Sequence, residues 1–148
     1  MHALGKDSKQ WETVHVLSRS QKEEHPFNVT HDTIDLTGDA KEIAKQLKDV
    51  EAEYVFFATY LQKDSEQESW DVNGAMLKTL LEALDITGAS KRIKRTILTT
   101  GAKRYDLHLG CPKKPMGESD PWIEGEGRPP NFYYHKQRIL AEAGKKAT

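Results

Sequence analysis

The chain of 148 residues has one cysteine, almost no net charge and no long apolar run. A single thiol excludes an internal disulfide and fits a reducing compartment. Cys111 stands in Gly-Cys-Pro with no motif around it and reads as a passive loop cysteine. No stretch approaches the ~20 apolar residues of a membrane span, and the first residues lack the apolar core of a signal peptide. The expectation is a cytoplasmic protein with no membrane partner. The 22 basic and 23 acidic side chains are scattered rather than striped, so nothing offers the electrostatic footprint of a nucleic-acid binder. His2, His15, His25, His31, His108 and His135 show no ligand spacing, and no metal site is expected. Glycine is scarce where it would carry most chemistry. Gly5 stands alone near the N-terminus, and no Gly-rich phosphate loop exists anywhere in the chain.

What remains is a globular composition on the polar side, 36% apolar and 30% charged, in a length that suits one domain over residues 1–148. Leu4 to Trp11 reads as the tail of a helix. The β-branched run Thr13-Val-His-Val-Leu17 predicts a strand, and Ser18 to Lys22 a polar turn leaving it. A second short strand is expected over Thr33-Ile-Asp-Leu36. Asp39 and Glu42 stand at capping-box spacing before the helical recurrence of Ile43, Ala44, Leu47 and Val50. Glu53-Tyr-Val-Phe-Phe-Ala58 is a nearly continuous apolar run, the pattern of a strand buried on both faces. Val72, Ala75, Met76, Leu80, Ala83 and Leu84 form one face of a helix, and Arg95 to Thr100 reads as a further strand. Strands alternating with helices predict βαβ units and a parallel sheet, an α/β fold. Between Tyr105 and Asn131 the periodicity stops. Five of the six prolines fall there with Gly110, Gly117, Gly125 and Gly127, so 106–130 reads as a long functional loop. Asn131 is a candidate N-cap for a closing helix through Tyr134, Ile139, Leu140 and Ala143.

Two stretches carry chemistry. Thr99-Thr-Gly-Ala-Lys-Arg-Tyr105 follows a β-type run, and a lysine there can reach into a crevice at the strand's end. Asn131-Phe-Tyr-Tyr134 opens a helix and offers phenols, which hold a proton at neutral pH yet can share one with a reacting oxygen. Together they point to a Lys/Tyr oxidoreductase site. For Lys103 the competing interpretation is a solvated loop lysine, and for Tyr133 an aromatic packed beneath the loop. Tyr134 reads as core or pocket lining.

These motifs resemble the short-chain dehydrogenases/reductases, in the atypical branch that contains progesterone 5β-reductase and iridoid synthase. The resemblance covers nearly the whole chain. It is carried by Val16-Leu-Ser-Arg-Ser20, Tyr54-Val-Phe-Phe-Ala-Thr59, Asp71-Val-Asn-Gly-Ala-Met-Leu77, Thr99-Thr-Gly-Ala-Lys-Arg-Tyr105 and Asn131-Phe-Tyr-Tyr134. The superfamily's usual Tyr-x-x-x-Lys is absent, since Gln137 lies four after Tyr133, and that departure is typical of the branch. The resemblance implies Lys103 and Tyr133 as catalytic residues and NADP as cofactor. It also implies an enone or carbonyl compound as substrate and a place in small-molecule or secondary metabolism. Cofactor contacts are implied at Ser18 and Arg19, with Arg19 placed to fork onto a ribose 2′-phosphate. Asp35 matches the position near the adenine, and Ala58 and Thr59 the backbone that passes along the cofactor.

The same comparison marks what is missing. A dinucleotide-binding fold opens on a strand and a Gly-rich turn, and in the strand order 3-2-1-4-5-6 that strand is central. The chain reads as truncated at both ends, an incomplete Rossmann-like parallel sheet whose bare edges invite self-association. A catalytically inactive remnant or a non-enzymatic binding module stands as the alternative to a reductase.

Overall fold

The computed structural model describes residues 9–20, 28–110 and 115–146. Leu4 and most of the expected helix tail, Lys22, Cys111, His2 and His25 lie outside these residues. Among these residues, four short strands and three α-helices follow one another as β1 (Val14–Ser18), β2 (Val29–Thr33), α1 (Ala40–Gln46), β3 (Tyr54–Phe57), α2 (Glu66–Thr87), β4 (Arg95–Leu98) and α3 (Phe132–Lys146). Among the described residues the strands form two separate parallel pairs. Val14 stands opposite Val29 in the first, and Tyr54 opposite Arg95 in the second. The fold is α/β with a partial Rossmann-like sheet, and β3–α2–β4 forms a βαβ unit. No helix among the described residues is long and apolar enough to cross a membrane.

The second strand lies earlier than its sequence suggested. Thr33-Ile-Asp-Leu36 is mostly past the strand, because the β1 ladder takes up Val29–Thr33, and Asp35 turns the chain by accepting from the Thr37 amide at 3.0 Å. The polar alternation of Val-Thr-His-Asp-Thr hid the strand, which only its pairing with β1 reveals. β3 also departs from expectation. Phe57 is buried, but Tyr54 and Phe56 are 40% and 45% exposed, so one face is covered and not two. Trp11 packs edge-on against both exposed rings.

Local chemistry explains the helices. Asp39 caps α1 by accepting from the Lys41 and Glu42 amides. A reciprocal capping box between Ser65 and Glu68 starts α2, and Gly88 ends it at φ 77°, a conformation that disfavours a β-carbon. α2 packs against both α1 and α3. Its core face carries Met76, Leu77, Leu80 and Leu84, which join Ile43 of α1, Phe57 of β3 and Ile139 of α3 in one apolar cluster. Two polar residues are buried on α2 with partners. Asn73 receives the Leu61 amide at 2.8 Å and donates to the Leu61 carbonyl at 2.7 Å, while Ser69 accepts from the Lys63 amide. The motif asparagine therefore pins the segment leaving β3 onto α2.

The next residue, Gly74, lets α3 approach closely. A β-carbon there would collide with the His135 imidazole, which stacks on Trp70 with ring centroids 4.4 Å apart. Burial lowers the pKa of His135, and the Trp70 carbonyl offsets this only in part, so the ring packs in its neutral form. Gly74→Ala is expected to lower unfolding free energy by about 1–3 kcal/mol through overpacking. Adding His135→Ala should recover most of the loss, as chemical denaturation of the two variants will show.

Candidate functional site

The cofactor-contact residues expected from sequence, and Lys103, lie at or beyond the carboxyl end of a strand, the end at which open α/β sheets bind ligands, whereas Tyr133 comes from the first turn of α3. Ser18 closes β1 and Arg19 follows it, exposed. The Ser18 hydroxyl donates to the Ser20 carbonyl at 2.7 Å and lies 2.7 Å from His31 Nε2. Asp35 follows β2. Hydrogen bonds from the Thr37 amide and hydroxyl hold its carboxyl below the usual range, and the charge of Arg19 adds to them. Its Oδ1 is thus engaged in a turn, with Arg19 nearby. Ala58 and Thr59 follow β3 and are exposed.

Beyond β4 the backbone makes an extended step at Gly101 and enters a 3₁₀ turn, Ala102–Tyr105, that carries Lys103. The first turn of α3 grips this segment. Asn131 donates to the Lys103 carbonyl at 2.7 Å and to Asp106 at 3.2 Å, while its own side-chain oxygen caps the Tyr133 amide at 3.1 Å. Tyr134 is fully buried, donates to the Arg104 carbonyl and accepts from the Ile123 amide at 3.1 Å. Asn131 and Tyr134 are thus the parts of Asn-Phe-Tyr-Tyr that hold the lysine loop. Asp106 sits at φ 51°, a left-handed conformation sustained by that same asparagine.

Tyr133 is turned the other way. Its hydroxyl lies against Gly101, and a β-carbon there would come within 2.9 Å of the phenolic oxygen. Glycine is required there by the close approach. Burial raises the pKa of the phenol, the neighbouring Tyr60 adds to the rise, and the Gly101 amide opposes it. Tyr133 therefore keeps its proton at neutral pH.

Lys103 reaches the same cluster, with its Nζ 5.4 Å from the centre of the Phe132 ring, which packs on Tyr133 at 4.4 Å. Its ammonium is committed elsewhere, to Glu66 in the first turn of α2 at 2.6–2.7 Å, and His108 approaches the same carboxylate at 3.7 Å. The structure thus gathers Lys103 and Tyr133 around Phe132 while giving their polar heads different partners.

Sequence reasoning missed three participants. Glu66 gives no linear signal, since only folding brings the start of α2 to Lys103. Tyr60 stacks on Phe132 at 6.0 Å and falls just outside the run Tyr54 to Thr59. Lys136 is the third. It is 1% exposed, donates to the Thr59 carbonyl at 2.7 Å and lies 5.1–5.6 Å from the ring centres of Phe57, Phe132 and Tyr133. Its recurrence at helical spacing with Phe132 and Ile139 was the available clue, a lysine written on an apolar face.

The described residues suit the two ends of NADP. Among the described residues Arg19 makes no ion pair, though it lies near the Asp35 charge, and a phenol set against Gly101 stands at Tyr133. The chain has no Gly-rich turn to hold the pyrophosphate between those ends.

No protein-family model matches the chain. Individual proteins do. The chain is 42% identical over 135 residues to an uncharacterised protein of Schizosaccharomyces pombe, covering 88% of this chain and 33% of that one. It is 31% identical over 144 residues to a short chain dehydrogenase of Penicillium aethiopicum, covering 91% and 36%. It is 29% identical over 144 residues to an (S)-8-oxocitronellyl enol synthase of Nepeta cataria, covering 92% and 35%. The chain thus spans about a third of the length of the curated relatives it matches.

Burial without a carboxylate partner lowers Lys136 from an ordinary value of 10.5 to about 8. The sign of the linked stability follows. Between about pH 8 and 10.5 the unfolded chain still holds this proton while the folded protein has released it, so this residue makes stability rise with pH across that window. Below pH 8 both forms are charged and the full burial cost applies. Lys136→Met should therefore melt higher than the parent at pH 7, with the gap closing toward pH 10.5 in scanning calorimetry.

Proposed function

Because the chain belongs to the short-chain dehydrogenases/reductases, in the branch of the 5β-reductases and iridoid synthases, we propose that it carries the Lys/Tyr end of an NADPH-dependent enone or carbonyl reductase site. The observation that carries this reading is Tyr133, a proton-bearing phenol pressed onto Gly101 at the end of β4, with Lys103 two residues further along the same loop. NADPH, when bound, supplies hydride to the β-carbon of an enone. Negative charge then develops on the carbonyl oxygen, and the Tyr133 hydroxyl is the preorganised donor for it. Lys103 stands beside the same ring cluster with its ammonium paired to Glu66. Arg19 and Ser18 suit the 2′-phosphate end, which favours NADP, while Ala58 and Thr59 offer exposed backbone along the path between. On this reading the chain acts as one partial NAD(P)-binding unit, residues 1–148, with 106–130 as its long loop.

A second reading, an inactive member or a binding module, is favoured by one observation. The ammonium of Lys103 is neutralised by Glu66 and not free to act on Tyr133 or a ribose.

Fusion separates the two. A strand with a Gly-rich turn from a related reductase is joined before Leu4, and that enzyme's remaining segment after Thr148. The fusion should oxidise NADPH in the presence of a small activated enone. Tyr133→Phe should then lower turnover by roughly ten- to a thousandfold, the scale of losing one oxyanion donor. Tyr134→Phe should act through stability instead, because it orphans the Arg104 carbonyl and the Ile123 amide at about 1–3 kcal/mol. A fusion that binds NADPH yet turns over nothing supports the inactive reading. The parent chain, lacking pyrophosphate amides, should show no saturation with low micromolar NADPH in fluorescence titration.

A further inference from the structure

Lys136 is a charged residue placed where a leucine would pack without cost. It lies on the core face of α3, 1% exposed, with no carboxylate beside it among the described residues. Its surroundings are the rings of Phe57, Phe132 and Tyr133 and one carbonyl, that of Thr59. Desolvating a lone ammonium is expensive, and face-on rings with a single hydrogen bond return only part of that cost. Its lowered pKa agrees that the balance is unfavourable. The placement therefore makes sense only through what the ammonium connects.

It connects two elements that otherwise meet through apolar contacts. Thr59 belongs to the segment leaving β3, and its side chain and neighbours Ala58 and Tyr60 are exposed on the site. Tyr133 stands one helical turn before Lys136 on α3 and reaches Gly101 beyond β4. To the close packing of those rings a charge-assisted hydrogen bond adds a strong, directional link to the backbone of the strand end.

We propose that Lys136 is a positioning residue that ties the Thr59 carbonyl beneath the rings of Phe132 and Tyr133, so that the exposed end of β3 and the Tyr133 hydroxyl keep a fixed separation. The assignment of Tyr133 as the reacting phenol rests on the function proposed above; the tie itself does not. Lys136 touches neither reactant and acts through Tyr133 and the strand end.

The test uses the chain without cofactor, so a failure of the reductase reading leaves it intact. Two signals are read by NMR: hydrogen exchange at the Gly101 amide, and the nuclear Overhauser contact between the Gly101 α-protons and the Tyr133 ring. Lys136→Met keeps the volume and removes the ammonium. It is expected to speed Gly101 exchange by about tenfold, as the Tyr133 ring covering that residue loosens, and to weaken the ring contact while the melting temperature holds or rises. A residue that merely filled the core would move both signals only in step with global stability. Tyr133→Phe should speed Gly101 exchange to the same extent, and the double variant no further than either single one. Lys136→Arg keeps a cation and a donor and should leave Gly101 protected. It also decides the matter alone should the Met variant not fold. Unchanged Gly101 exchange in Lys136→Met, additive effects in the double variant, or a folded Lys136→Arg as loose as Lys136→Met would each overturn the proposal.

Discussion

The grip of α3 on the loop beyond β4 governs the rest of the site. Asn131 and Tyr134 take the Lys103 and Arg104 carbonyls, the first by a side-chain amide and the second by a buried phenol. Those carbonyls belong to a 3₁₀ turn with no side-chain cap at its start, held locally only by its own backbone bonds. Once gripped, the turn fixes where Lys103 starts, and the helix register then fixes Tyr133 between the two gripping residues. One short motif thus sets both members of the Lys/Tyr pair. A shift of one residue along α3 would put Tyr134 in the place of Tyr133 and His135 in that of Tyr134, releasing the loop.

A second constraint works from the other side. Asn73 and Ser69, buried on α2, hold the backbone of Leu61 and Lys63, and Lys136 holds that of Thr59. The segment leaving β3 is therefore fastened on both sides of Tyr60 by buried polar groups, although most of its side chains face solvent. Such an arrangement keeps a strand end rigid without covering it, which a binding edge requires. It also explains why the family-like Val-Asn-Gly run sits in the middle of a helix. Asn73 faces the loop, and Gly74 admits α3.

Much of this was legible in the chain. β1, β4 and all three helices follow from β-branched runs, caps and the 3.6-residue period, and Asn131 announced itself as an N-cap. β2 was misplaced because Thr30, His31 and Asp32 have no apolar alternation; its identity comes from the β1 ladder. The two-sided burial expected of β3 failed because a continuous apolar run reports composition, not which faces are covered. The Lys103–Tyr133 neighbourhood was legible through resemblance. Glu66 was not, since a carboxylate in a first helical turn satisfies the helix dipole and needs no other reason. Lys136 was overlooked because lysine is read as solvent-facing, and its helical neighbours Phe132 and Ile139 argued otherwise.

The Glu66 pair bears on what kind of acid Tyr133 can be. At 4 Å and an effective dielectric near 20, a bare ammonium is worth about 4 kcal/mol to a phenolate, enough to shift its proton by a few pH units. With a carboxylate at 2.6 Å, most of that field is cancelled for any group further away. Burial then dominates, and the phenol is raised. A phenol in that state is a hydrogen-bond donor and a poor base. Reduction of an enone asks for that donor, because charge grows on the carbonyl oxygen as hydride arrives. Oxidation of an alcohol asks for the opposite, a phenolate able to take a proton. The Lys103–Glu66 pair, which weakens the case for a conventional Lys/Tyr dehydrogenase, is thus compatible with a site that works in the reducing direction.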